Sequence, residues 1–289
     1  MTPGRGRRFR GFLQAVLLVL LAAYSVFPIY MVTVQSLKTI HDDVFESPFY
    51  VMHPTFEWYQ DLFEPQDYQH GEIIAPMVPF LVWSENTAIV LVASLAVILI
   101  SSLMAGYALG RLRPPGWRWW RRILLATFLI PQTMLFIPLY EIVLHLHLDD
   151  NLLSLVVTYP MLAIPFCAWL FSVYFQKLSP EIEESAYVEG ASRFTTFLRI
   201  VLPMSYPVLV AAGLFALGII SSDFLLSGTF LPNEWHQTIG AGMATMDIQL
   251  EDLTTVSGVS LGGLPVVIIA AMFAASYVRG LTTAMIEGA

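Results

Sequence analysis

Cysteine, lysine and charge are all scarce in this chain, and each shortage removes a class of protein. Cys167 is the only cysteine among 289 residues, so no disulfide closes within one chain; its place inside an apolar run makes packing its expected role. Lys38 and Lys177 are the only lysines, and neither follows a glycine. The Gly-Lys-Ser/Thr loop that cradles nucleotide phosphates is therefore missing, which excludes an ATPase of that kind. No histidine follows His236. Gly258-Val259-Ser260-Leu261-Gly262 matches the nucleophile-elbow spacing but lacks the downstream base such a serine needs. Small residues at 258, 260, 262 and 263 read instead as a surface for close helix packing. No internal repeat or low-complexity segment is evident.

What the chain has is apolar length. Hydrophobic residues make up 56% of it and charged residues 12%, with a mean hydropathy of +0.67, the composition of an integral membrane protein. Six stretches, near 12–34, 86–109, 123–143, 152–175, 204–226 and 256–278, reach the roughly 20 residues that cross a hydrocarbon core of about 30 Å. Backbone polar groups in lipid must be satisfied locally, so the expected fold is all-α with six transmembrane helices. Residues 1–289 read as one membrane domain, with a loop over 35–85 on one side and a polar connection over 176–203 on the other. The first apolar run extends to Val34, beyond the roughly 7–15 residues of a signal sequence, so it reads as a retained anchor.

Charge orients the spans. Arg5, Arg7, Arg8 and Arg10 precede the first, Arg111, Arg113, Arg118, Arg121 and Arg122 fill the second-to-third connection, Lys177, Arg193 and Arg199 the fourth-to-fifth, and Arg279 follows the last. Only Lys38 falls on the opposite side. By the positive-inside rule both termini are expected in the cytoplasm. Asp42, Asp43, Glu46, Glu57, Asp61, Glu64, Asp67 and Glu72 cluster in the outer loop, so the net charge of −8 belongs to that loop and is no evidence for a basic partner; no nucleic-acid partner is expected.

Ionisable groups at membrane depth invite a functional reading. Glu141 stands near the outer end of the third span, within reach of the interface. Asp223 ends the fifth beside Ser221 and Ser222, three polar groups that form a candidate substrate pathway. His145 and His147 near Asp149 and Asp150 read as a solvated turn, since a metal site needs a preorganised frame. Prolines 28, 131, 138, 160, 165 and 265 fall inside spans, where they suit helices that bend between states.

The most specific signal is the polar stretch from Pro180 to Pro203. Ser179 is placed to cap a helix starting at Pro180, with Glu181, Glu183 and Glu184 complementing its dipole. Gly190 should end that helix, and Ser192 should cap a second in which Phe194, Phe197, Leu198 and Val201 form an exposed apolar stripe. Two short helices at a bend make a knob that a partner's groove could hold.

Within this stretch Glu184-Ser185-Ala186, then Gly190, then Ile200-Val201-Leu202-Pro203 resembles the cytoplasmic loop of binding-protein-dependent ABC importer permeases. That pattern is Glu-Ala-Ala, three residues, Gly, nine residues, Ile-x-Leu-Pro, and only Ser185 departs from it. The run LIPQTMLFIPLYEIVLHLHLDDNLLSLVV resembles the third-span region of the six-span, maltose-importer type of carbohydrate permease, and VRGLTTAMIEG at 278–288 resembles its tail, with Ala284 and Glu287 in place of Gly and Lys. The family's Ser-Trp-Asn-Glu-Phe stands here as Ile220-Ser221-Ser222-Asp223-Phe224.

The resemblance implies the type I ABC importer permease fold: a non-catalytic subunit of the bacterial or archaeal cytoplasmic membrane, paired with a second permease, two ATPase subunits and an extracytoplasmic solute-binding protein. Glu184, Ser185, Ala186, Gly190, Ile200, Leu202 and Pro203 would form the ATPase-coupling element. ATP and Mg would reside on the partner subunits, with no cofactor and no metal on this chain, and a sugar or oligosaccharide would be the solute. The alternative is an ion-coupled secondary transporter, which calls for intramembrane charges and inverted repeats; a membrane hydrolase is disfavoured by the failed Ser/His arrangement.

Overall fold

The computed structural model describes residues 5–63, 79–250 and 253–285; Glu64, Asp67, Glu72 and Glu287 lie outside that set. Regular structure among the described residues is entirely helical. Four helices are long and apolar enough to cross a membrane, or up to six segments if each of two bent pairs counts as one span.

The chain divides into two compact units, Met1–Phe80 with Met246–Leu261, and Leu81–Thr245 with Gly262–Ala289. In the first unit, α1 (Arg5–Ser36) is long and apolar from Phe12 onward and buries none of its apolar window within the chain, the character of a helix facing lipid or another membrane subunit. Short helices α2 (Ile40–Phe45) and α3 (Glu57–Asp61) follow. Lys38 is buried, its ammonium 3.8 Å from Asp43. Trp58 Nε1 donates to the Lys38 carbonyl at 2.7 Å, and Tyr59 Oη donates to Ser36 Oγ at 2.8 Å, with Ser260 Oγ 3.4 Å away. Ser260 lies within a continuous helix, so the strand-to-helix turn of a nucleophile elbow is not present there.

The second unit is built around α7, with α4 (Phe80–Tyr107), α5 (Trp117–Phe128), α6 (Gln132–His145) and α7 (Leu153–Lys177) in chain order. Leu155, Ala163, Cys167, Ala168, Leu170 and Phe171 are fully buried along α7, and the Cys167 thiol packs against the Ala212 carbonyl, as its apolar setting predicts. A π turn, Ala108–Leu112, extends α4. Gly106 and Gly110 allow its backbone to press onto α7: a Cβ at Gly106 would lie 2.3 Å from Phe171 Cβ, and one at Gly110 2.6 Å from the Ser172 carbonyl oxygen. This is the small-x-x-x-small device of membrane helix packing.

The stretch expected as one continuous span over 123–143 is broken. α5 and α6 meet at 98° at Pro131, whose ψ of 132° is non-helical; a proline disfavours helix in the residue before it and cannot donate an N–H to continue the ladder. Glu141 lies exposed on α6. The polar connection after α7 holds α8 (Pro180–Val188), α9 (Arg193–Thr196), a π turn over Phe197–Val201 and α10 (Leu202–Met204). The fifth span is shorter than 204–226: α11 covers Tyr206–Ser221, joined to 193–204 at a 73° bend. After it come α12 (Leu225–Phe230), a 3₁₀ turn at Glu234–His236, α13 (Ile239–Leu250) and α14 (Leu253–Met285). Gly262 lets α14 approach Ile239, whose Cγ2 would stand 2.7 Å from an added Cβ.

Candidate functional site

Local chemistry shapes the 180–204 element. Gly190 has φ +86°; its N–H donates to the Tyr187 carbonyl at 3.0 Å, and that of Ala191 to the Ala186 carbonyl at 3.0 Å. Those two bonds are the paired closure by which a helix ends on a left-handed glycine. Nothing lies within 4 Å of a Cβ built at Gly190, so backbone conformation alone favours glycine there. Ser192 Oγ accepts from the Thr195 N–H at 3.2 Å, the expected cap.

Ser179 does not cap α8 through its side chain, contrary to the sequence expectation. Its carbonyl instead accepts from Arg111 Nη2 at 3.4 Å, and that of Leu178 from Arg111 Nη1 at 3.1 Å. The same guanidinium sets Nε 2.7 Å from Glu183 Oε1. Tyr107 and Tyr187 each donate a hydroxyl to Glu183 Oε2 at 3.2 Å. Burial first, then the Glu183 charge, holds the Tyr187 phenol above its ordinary pKa, so it remains a donor at neutral pH. Arg111 and Glu183 side chains are 15% and 6% exposed, and this clamp fixes α8 to the end of α4.

The predicted coupling residues fall on this one element in different settings. Glu184, Ser185, Gly190 and Pro203 are exposed, Ile200 and Leu202 half-buried, and Ala186 buried. The expected stripe is split. Phe194 and Leu198 point outward with Val188, whereas Val201 is fully buried and Phe197 meets Tyr107 edge-on, ring centroids 4.8 Å apart. Pro203 cannot donate to Arg199, and the Leu202 N–H reaches back to the Phe197 carbonyl. The resulting π turn takes more residues per revolution, so Val201 falls under Phe197 and not under Phe194 and Leu198.

At the other end of α11, Asp223 is an anchor. Its Oδ2 accepts from Tyr159 Oη at 2.8 Å and the Ser227 N–H at 3.1 Å, and its Oδ1 from the Leu226 N–H at 3.2 Å. This caps α12 and ties it to α7. Ser227 Oγ accepts in turn from Thr238 Oγ1 at 2.9 Å. Ser222 is exposed, with its hydroxyl on the Ile219 carbonyl, while Ser221 Oγ is buried without a partner. The three residues adjoin in sequence, but only Asp223 reaches across to α7. Asn86 Nδ2 donates to the carbonyls of Trp235 and Gln237, both at 3.0 Å, and Trp83 Nε1 to that of Glu234. Asp150 accepts from the Asn233 N–H at 3.1 Å and sits 3.0 Å from His236 Nδ1, so it anchors that loop.

Comparison with known proteins agrees with this architecture. Residues 98–261 match the family model described as "Binding-protein-dependent transport system inner membrane component". The chain is 26% identical over 291 residues to the sulfoquinovosyl glycerol transport system permease protein SmoH of Agrobacterium fabrum, covering 99% of this chain and 98% of that one. It is 26% identical over 239 residues to the galactooligosaccharides transport system permease protein GanQ of Bacillus subtilis, covering 82% and 81%. A crystal structure of a bacterial ABC transporter involved in alginate import shares the fold, with a TM-score of 0.73 at 20% identity over 95% of this chain and 99% of that one. With its all-helical fold and its matched region in accord, the chain belongs to the inner-membrane permease family of binding-protein-dependent ABC importers.

Proposed function

We propose that this permease is one of two non-identical membrane subunits of an ATP-driven carbohydrate importer, acting with two ATPase subunits and an extracytoplasmic binding protein. ATP and Mg²⁺ belong to the ATPase partners. Both termini face the cytoplasm in this reading, on the strength of the basic residues. The carbohydrate assignment draws on relatives named for sulfoquinovosyl glycerol and for galactooligosaccharides.

One observation carries the coupling role: a rigid helix-turn-helix that presents Val188, Phe194 and Leu198 outward and is clamped from behind by Arg111 and Glu183. An amphipathic knob of this kind suits a groove on a soluble partner. When the ATPase dimer closes around ATP, a push on α8 passes through the clamp to α4, and through the Gly106 and Gly110 contact to α7. These helices move together because packed interfaces shift as units. The exposed Ser222 faces the solute path at the end of α11, the Ser221 hydroxyl lies buried behind it, and Asp223 holds the floor of the path through Tyr159 and α12.

Isolation of the complex through a tag on this chain tests the proposal. A second permease and an ATPase should co-purify, and hydrolysis should rise with binding protein and saccharide together. Uptake driven by a proton or sodium gradient, with no ATPase present, would favour the secondary-transporter alternative.

A further inference from the structure

We infer that the segment following α1 carries a binding site for a divalent transition-metal ion of the zinc class, made by His41, Asp42 and Glu46, with His53 positioning the Asp42 carboxylate. The ligand atoms of His41, Asp42 and Glu46 all lie within 4.8 Å of one another. Tetrahedral coordination with metal–ligand bonds of about 2.0–2.1 Å separates ligand atoms by roughly 3.3 Å. Rotation of an exposed imidazole closes most of that difference, and the His41 side chain is 73% exposed.

The frame is built by local structure. Thr39 Oγ1 caps α2 by accepting from the Asp42 N–H at 3.1 Å, and the Glu46 N–H donates to the Asp42 carbonyl at 3.1 Å. Asp42 and Glu46, four residues apart, therefore stand on one face. The Asp42 side chain is 1% exposed. Its Oδ2 accepts from the His53 N–H at 3.0 Å, while its Oδ1 lies 3.3 Å from His53 Nδ1 and 3.8 Å from His41 Nδ1.

Glu46 Oε2 is what points to a ligand. It is cut off from solvent and has no hydrogen-bond partner, an expensive condition for a carboxylate oxygen. The neighbouring cation does not neutralise the pair, because Lys38 lies against Asp43. Two carboxylates cancel the charge of a divalent ion, and imidazole nitrogen among the ligands selects zinc over magnesium or calcium, which take oxygen alone. Bound metal would fasten the two ends of α2 together and fix the path of the chain toward His53.

The full-length chain in detergent, stripped with a chelator, can be titrated with Zn²⁺ in competition with a chromophoric chelator. One zinc equivalent should bind, with mixed nitrogen and oxygen ligands at about 2.0–2.1 Å by X-ray absorption. Affinity should fall at least tenfold in His41→Ala and in the near-isosteric Glu46→Gln, and by about 10–100-fold in His53→Ala. His145→Ala/His147→Ala should leave binding intact. Zinc affinity unchanged in both His41→Ala and Glu46→Gln, loss of binding in the His145/His147 variant, or equal competition by Mg²⁺ would each overturn the site.

Discussion

Replacing Arg111 with alanine strips Glu183 of its cation and frees the carbonyls of Leu178 and Ser179. Removal of one partner from a buried ion pair costs about 3–5 kcal/mol. Arg111 keeps 15% of its side chain exposed, and the two tyrosine hydroxyls still hold Glu183 Oε2, so solvent and those donors reduce the figure to about 2–3 kcal/mol. At 1.4 kcal/mol per factor of ten, the ordered population of α8 against the α4 end should drop roughly 30- to 140-fold. Hydrogen exchange of amides over residues 181–190, measured on the assembled complex in nanodiscs, should accelerate by that factor while amides of α7 keep their rates. Hydrolysis stimulated by binding protein and solute should fall in parallel. The double change Arg111→Met/Glu183→Leu should cost less than the sum of the single changes, since no uncompensated charge remains. Unchanged exchange over 181–190 in Arg111→Ala, with normal stimulated hydrolysis, would refute the clamp.

Gly190→Ala should cost about 1–2 kcal/mol through its left-handed backbone alone, lowering stimulated hydrolysis, and Gly190→Asn should be better tolerated; equal activity of all three forms would remove the turn from the coupling element. Asp223→Ala gives up the Tyr159 bond and both amide bonds, so complex stability should fall by about 3 kcal/mol, read as a lower melting temperature. Tyr159→Phe should cost less because the α12 cap survives, and a larger loss in Tyr159→Phe would contradict the assigned roles. Gly110→Leu drives a side chain into the Ser172 backbone and should cut recovery of folded protein sharply; normal recovery would show that α4 and α7 do not pack as closely as described.

Features set by neighbours in sequence were the legible ones. Gly190 and Ser192 act through the backbone within three residues, so their types foretold the turn and the cap. The spacing from Glu184 to Pro203 foretold the family by resemblance. Ser179 misled because its carbonyl, and not its hydroxyl, is engaged by a guanidinium far away in sequence. Arg111 was one of five arginines in its connection, with nothing in the pattern to separate it from those that only orient the chain. Asp223 stood out as a polar group at a span end, but its partner Tyr159 sits in a different helix and left no local trace. The break before Pro131 was blurred by the apolar residues on both sides of it. The inward turn of Val201 follows from a π turn that an i, i+3, i+4, i+7 pattern cannot register.

Cross-linking at the coupling loop tests the central claim most directly. Cys167 is the only cysteine and is buried, so a cysteine placed at the exposed Phe194 offers a single accessible thiol on this chain. In the purified complex, a bifunctional reagent should join Phe194→Cys to the ATPase subunit, with a yield that changes when ATP closes the ATPase dimer. An assembled, ATP-hydrolysing complex in which that thiol is modified from the extracytoplasmic side, or never joins the ATPase subunit, would contradict the assignment.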